Sequence, residues 1–255
     1  MKALCMFGYE YSVLAIISAA IFIGGIVKGV SGIGLPIVTI AVVVNFVPAP
    51  VALAIVVVPI LVTNLWQAVR AGNLFAPFRE FAPMILCFII FLVVTAHFIV
   101  NLDTKAMFGA LGFCVTIFSL SNFIRPPAEP LSPATRKWAA PLAGVLGGIL
   151  GGVSTIWGPP MMMYLVLLKL PKDTWVRVIG MVWFLGSVPL TLSYWANGIL
   201  NEQTLPLSIF ACFPGMAGIL AGEKLRNLID QETFRKILLI ALFIIGINLI
   251  RRAVF

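Results

Sequence analysis

The chain has 255 residues, of which 61% are hydrophobic and only 10% are charged, and its formal net charge is +8. A water-soluble domain carries about 25% charged residues, so this composition excludes one. The apolar runs are continuous and do not alternate as the strands of a membrane β-barrel do. We therefore expect an integral membrane protein built of α-helices.

Apolar segments follow one another along the chain, and we predict that each is a helix. In the first half they are residues 12–28, 35–47, 51–69, 81–100 and 106–124, and in the second half 138–153, 159–168, 175–196, 205–221 and 234–250. The second segment of each half has only about 10 to 13 residues, fewer than the roughly 20 that cross a bilayer. We expect these two segments to fold back on the preceding helix.

A glycine-rich motif occurs twice. Residues 24–36 (GGIVKGVSGIGLP) return as residues 147–159 (GGILGGVSTIWGP), with 8 of 13 positions identical. Glycine permits backbone angles that a helix interior does not use, and proline suits the first turn of a new helix. Each motif therefore predicts a helix end, a break and a second helix start within the membrane. Duplicated breaks of this kind are typical of transporters made of two repeats.

Loop charges predict how the chain crosses the membrane. Placing residues 70–80, 125–137, 169–177 and 222–236 in the cytoplasm puts 12 Lys and Arg inside, whereas loop 197–206 has none. Each broken hairpin must then enter and leave on one side. We predict an all-α polytopic membrane protein with two inverted repeats, each a Gly/Pro-broken helical hairpin plus three transmembrane helices. The repeats are residues 1–124 and 138–255, joined by a cytoplasmic linker at 125–137.

The breaks are the first place to look for a binding site. A helix that starts inside the membrane presents free N–H groups with partial positive charge, which bind anions, and nearby hydroxyls add donors. Close packing of helices through small residues is the alternative reading. The residues that we predict to contact a substrate at the breaks are Ser31, Gly32, Gly34, Ser154, Thr155 and Trp157.

Other polar side chains have two readings each. Lys28 either reaches an interface or neutralises a bound anion. Asn64 and Gln67, and Tyr194 in the second half, either line a cavity or hydrogen-bond between helices. Arg177 is either a cytoplasmic anchor or a gate over the anion. The only histidine, His97, either relays protons or is a tolerated polar residue.

Several function classes find no support in the sequence. All nine carboxylates lie outside the apolar segments or at their ends, which argues against a proton pump or cation exchanger. There is no nucleotide-binding motif, no catalytic triad and no cluster of metal ligands. We therefore predict no enzyme activity, no cofactor, no bound metal and no nucleic-acid partner.

With these motifs in view, the chain resembles the TauE/SafE family of sulfite exporters. The resemblance rests on residues 28–36 (KGVSGIGLP) and 151–160 (GGVSTIWGPP), and residues 214–218 (PGMAG) support it. It implies a transporter of small anions, especially sulfite, sulfoacetate and related organosulfonates. The family often has more glycine before the first Pro, where this chain has Ile33 and Leu35, and Trp157 replaces a small residue. These departures leave the substrate open.

We predict a secondary transporter of sulfite or organosulfonates that works by alternating access across the cytoplasmic membrane, the bacterial inner membrane. A transporter of small carboxylates, an anion channel and a structural scaffold are the alternatives. The expected partners are a small anion and the lipid bilayer, and a homodimer is left open.

Overall fold

A computed structural model describes residues 5–6, 9–70, 75–97, 104–124, 129–154 and 157–254. Within these ranges the chain forms ten helices, preceded by a short antiparallel pair of strands, β1 (Cys5–Met6) and β2 (Tyr9–Glu10). The helices are α1 (Tyr11–Ser31), α2 (Leu35–Val43), α3 (Ala49–Arg70), α4 (Phe75–His97), α5 (Thr104–Ile124), α6 (Pro133–Ser154), α7 (Gly158–Leu167), α8 (Lys172–Ala196), α9 (Leu205–Leu228) and α10 (Gln231–Val254).

Six segments of the described chain are long and apolar enough to cross a membrane. They are Tyr11–Ser31, Pro50–Arg70, Phe78–Thr95, Lys172–Ala196, Leu205–Leu228 and Gln231–Arg251. The protein is thus an all-α polytopic membrane protein, as its composition predicted. The inverted relation of the two repeats stays a prediction.

The chain breaks where the first glycine motif predicted. Helix α1 ends at Ser31, where Gly32 takes a left-handed φ of 86° and its N–H donates to the Lys28 carbonyl over 2.7 Å, a common way to end a helix. Gly34 is also left-handed, with a φ of 109°, and α2 begins at the next residue with Pro36 in its first turn. Helix α6 ends in the second motif, and α7 begins there with two prolines in its first turn.

Both short helices fold back on the helix before them. A Cβ on Gly24 of α1 would lie 2.8 Å from the Leu35 carbonyl oxygen, and one on Gly147 of α6 would lie 3.1 Å from that of Trp157. These two glycines are the first residues of the two motif copies. With 9 and 10 residues, α2 and α7 are about 14 and 15 Å long, too short to cross a bilayer.

The helices form two compact units, and each unit takes segments from both halves of the sequence. Unit 1 comprises residues 1–74 and 173–230, and unit 2 comprises residues 75–172 and 231–255. In unit 1, α9 packs against α1 and α3. In unit 2, α6 packs against α4, and α5 packs against α10.

Glycines bring the main helix pairs into backbone contact. In unit 1, a Cβ on Gly218 would lie 2.2 Å from the Phe22 carbonyl oxygen of α1, and Gly222 is packed as closely against α1. In unit 2, a Cβ on Gly144 would lie 2.2 Å from the Met84 carbonyl oxygen of α4. These glycines therefore serve helix packing, the alternative reading of the glycine-rich sequence.

Candidate functional site

The most unusual side chain of unit 1 is Lys28, in the last turn of α1. It is 1% exposed, and its Nζ donates to Oδ1 of Asn64 on α3. Among the described residues no carboxylate forms an ion pair with Lys28. The side chain therefore does not reach out to an interface. A buried ammonium is costly unless an opposite charge or a full set of hydrogen bonds compensates it, and the described residues give Lys28 one acceptor.

The two amides beside Lys28 are only half satisfied. Gln67 Nε2 donates to the Lys28 carbonyl over 3.1 Å, so both amides make bonds between helices. However, Asn64 Nδ2 and Gln67 Oε1 are buried without a hydrogen-bond partner in the described part of the chain. Because an ammonium can only donate, the Asn64 oxygen must face Lys28, which leaves the NH₂ group free to donate elsewhere.

Side chains from three other helices donate hydrogen bonds to the last carbonyls of α1. The last carbonyls of a helix have no partner within it. Here the Gly29 carbonyl accepts from Arg226 Nη1 of α9 over 2.7 Å, and the Ser31 carbonyl accepts from Trp175 Nε1 of α8 over 3.0 Å. The Lys28 carbonyl accepts from the Gly32 N–H and from α3. The break is thus held in place by α3, α8 and α9 together.

Ser31 and Gly32 shape the break. Ser31 Oγ lies 2.8 Å from the Val27 carbonyl and 2.9 Å from that of Ile33, and the Ile33 N–H donates to Oγ over 3.3 Å. The hydroxyl has a single proton, and these two carbonyls are the acceptors for it. Gly32 lies against Val176 of α8, 3.5 Å from where its Cβ would be. Direct contact of either residue with a substrate stays a prediction.

An ionic cluster, defined as Arg70, Asp173, Glu223 and Arg226, lies next to the break. Glu223 pairs with Arg70 Nε over 2.9 Å and accepts from Trp66 Nε1 over 3.2 Å. Arg226 Nε lies 3.4 Å from Asp173 Oδ1. The Glu223 and Arg226 side chains are 8% and 10% exposed, against 54% for Arg70 and 62% for Asp173. The cluster therefore runs from the interior of unit 1 to its surface.

The sequence did not predict the buried part of this cluster. The predicted apolar segment ends at residue 221, but α9 continues to Leu228 and carries Glu223 and Arg226 inside the unit. The available signal was weak: these two residues are three apart and continue the helical face that begins with Gly218 and Gly222. Trp175, whose indole donates to the Ser31 carbonyl, is not among the residues predicted from the sequence.

Two predicted residues lie on α8 of the same unit but outside this group of contacts. Arg177 is half-buried, and its buried Nε has no hydrogen-bond partner among the residues described. Tyr194 is also half-buried, near the other end of α8. No hydrogen bond within the described chain joins either residue to Lys28, so both stay predictions. His97 ends α4, and its side chain lies outside the described part.

The second motif, in unit 2, is apolar where the first is charged. The counterpart of Lys28 is Gly151, where a Cβ would lie 2.8 Å from Leu92 Cδ1 and 3.2 Å from Trp157 Cβ. Trp157 is buried, with its ring centroid 6.1 Å from that of Phe88. Leu92 and Trp157 together therefore fill the space that a side chain at position 151 would need. Ser154 ends α6, but its side chain and all of Thr155 lie outside the described residues.

Comparison with known proteins identifies one family. The family model described as sulfite exporter TauE/SafE matches residues 17–249, a range that includes both glycine motifs and most of both units. No curated protein and no solved structure matches the chain significantly.

Proposed function

We propose that this chain, which belongs to the TauE/SafE family of sulfite exporters, carries sulfite or a small organosulfonate such as sulfoacetate by alternating access. Membership of the family makes the protein a multi-pass membrane transporter of sulfite-like anions. The particular substrate and the alternating-access cycle are the proposal.

The observation that carries the proposal is the buried Lys28, which no described carboxylate neutralises. Within the described chain its ammonium bonds a single acceptor, and the Asn64 NH₂ group beside it has none. A sulfite or sulfonate group presents several oxygen acceptors around one sulfur, together with negative charge. Such a group would satisfy both donors and compensate the buried charge. A neutral ligand would leave the charge uncompensated.

The ionic cluster supports alternating access. Asn64 lies six residues before Arg70 on α3, which corresponds to about 9 Å along the helix. We propose that the cluster closes the cytoplasmic route to Lys28 in this conformation. Opening would separate the Arg70–Glu223 or the Arg226–Asp173 pair, both of which extend to exposed side chains. Ion pairs with an exposed partner are weak enough to be broken in a transport cycle.

The test is transport by Lys28→Ala in proteoliposomes. We expect radiolabelled sulfite uptake to fall at least about tenfold, because losing a charge-assisted hydrogen bond costs roughly 1.5–3 kcal/mol. Lys224→Ala is the matched control, since Lys224 is an exposed lysine of α9 in the same unit. Thermal stability and reconstitution yield of both variants show whether insertion is intact. Wild-type uptake by Lys28→Ala would rule out the proposed role.

Substrate and mechanism need two further measurements. A thermal-shift panel of sulfite, sulfoacetate, isethionate, taurine and small carboxylates ranks the ligands of the purified protein. Counterflow of labelled substrate then separates a transporter from a channel, because only a transporter is stimulated by substrate on the opposite side. A shift with carboxylates alone would overturn the sulfur-anion substrate, and absence of counterflow would overturn alternating access.

A further inference from the structure

Unit 2 has a polar pocket of its own, between α4, α6 and α7. Its volume is about 180 Å³, and it opens to the surface. Its lining includes the polar residues Glu80, Arg136, Lys137 and Tyr164 and the apolar residues Phe81 and Pro83. We propose that this pocket binds the phosphate headgroup of an anionic membrane phospholipid.

The first argument is a buried guanidinium nitrogen without a partner. Arg136 Nε is buried and has no hydrogen-bond partner among the described residues, and the same residues provide no ion pair for Arg136. A guanidinium presents a planar fork of donors that matches a phosphate. Lys137 adds a second cation, and Glu80 is the one carboxylate of the lining, so the lining has one more basic than acidic residue. An anion with acceptor oxygens is therefore the ligand that fits.

The second argument is depth in the membrane. Trp138 follows the two basic residues on α6 and is 80% exposed, and exposed tryptophans collect at the level of lipid headgroups. The apolar span of α4 begins at Phe78, two residues before Glu80, so the pocket lies where that span starts. Lipid phosphates are concentrated at this level, and basic pockets between transmembrane helices on the cytoplasmic side bind them. The loop charges predict the cytoplasmic side for this end.

The third argument is the division of the lining. Phe81 is buried in the pocket wall, and Pro83 lies two residues further into the span of α4. On α4 the polar Glu80 thus precedes the apolar Phe81 and Pro83 along the span. This order matches a phospholipid, whose phosphate is followed by acyl chains. A soluble phosphate has no apolar group that could contact the apolar part of the pocket.

The experiment titrates lipids into detergent-purified protein without any transport substrate, so its failure leaves the transport proposal untouched. The probes are phosphatidylglycerol, phosphatidylcholine and inorganic phosphate, and the readouts are the thermal shift and lipid retention in native mass spectrometry. We expect phosphatidylglycerol to raise the Tm of the wild type. In Arg136→Gln its half-saturating concentration should rise at least about tenfold. Lys224→Gln, which removes an exposed charge in unit 1, should behave as the wild type.

Three results would overturn the inference. Equal binding of phosphatidylglycerol to Arg136→Gln and wild type would exclude the pocket. Equal stabilisation by phosphatidylcholine would exclude a role for headgroup charge, and equal stabilisation by millimolar inorganic phosphate would exclude the lipid as the source. If Arg136→Gln does not fold, Arg136→Lys keeps the charge but loses the fork. It should bind phosphatidylglycerol a few-fold more weakly, and unchanged binding would contradict the proposal.

Discussion

At the scale of single residues, the two motif copies divide their roles. The first copy has a buried cation at Lys28 and a left-handed glycine at Gly34. The second has Gly151 and Trp157 at these positions, and the tryptophan takes the space beside the glycine. In the second break, the bulk around Gly151 leaves little room for a charged side chain at that position. In their described parts, both breaks lie between the end of one helix and the start of the next, but their side chains differ in charge and size.

The Lys28–Asn64 contact makes a residue-scale prediction. In Asn64→Asp the new carboxylate would pair with the buried ammonium and neutralise it. We expect this variant to be at least as stable as the wild type and to bind sulfite at least about tenfold more weakly, since the ligand must now displace an internal anion. Thermal unfolding with increasing sulfite measures both quantities.

Asn227→Asp is the control for this prediction. Asn227 is exposed on α9 of the same unit, so the change adds an equal charge away from Lys28. Wild-type sulfite affinity in Asn64→Asp would show that the charge of Lys28 does not attract the anion.

At the scale of helices, the sequence predicted the positions of the breaks more accurately than the ends of some helices. The breaks were predicted closely, because glycine and proline restrict the backbone locally. Helices α8 and α9 extend beyond their predicted ends, to Lys172 and Leu228, because charged residues were taken as the ends of apolar segments. Glu223 and Arg226 remain helical and buried since partners on α1, α3 and α8 satisfy them.

The glycines of α9 make a prediction at this scale. A Cβ at Gly218 would lie 2.2 Å from a backbone oxygen of α1, whereas at Gly215 the nearest atoms are 3.7–3.9 Å away. Gly218→Ala should therefore push α1 and α9 apart and lower the Tm by several degrees, as overpacking costs about 1–3 kcal/mol. Gly215→Ala should leave the Tm nearly unchanged. Equal Tm values for the two variants would contradict backbone contact between these helices.

At the scale of the whole molecule, the compact units cut across the predicted repeats. Helix α1 of the first half packs on α9 of the second, and α6 of the second half packs on α4 of the first. The two pairings correspond if the repeats are matched helix by helix. Each half alone would expose glycine-rich faces that the other half covers. The repeat boundaries remain a description of the sequence and are not the boundaries of the units.

Membrane topology is the prediction at this scale. The Arg226–Asp173 pair joins two segments that the loop charges place in the cytoplasm, as the inverted arrangement requires. In a background without the four native cysteines, we expect Glu129→Cys and Lys224→Cys to react with an impermeant maleimide only from the cytoplasmic side. Glu202→Cys should react only from the outside. All three residues are exposed. Labelling of positions 129 and 224 from opposite sides would contradict inverted repeats.

The sequence by itself determined the membrane class, the ten helices, the two breaks and the family, because hydrophobicity, glycine and proline act locally along the chain. It also placed Lys28 at a break and Asn64 and Gln67 on a helix. Only the tertiary structure showed that Asn64 contacts the Lys28 ammonium and Gln67 the Lys28 carbonyl. It also showed that Glu223 and Arg226 are buried near the end of α1, and that Leu92 and Trp157 fill the space beside Gly151. Contacts between residues far apart in sequence depend on which helices pack together. Here those helices come from opposite halves of the chain, which the repeats did not reveal.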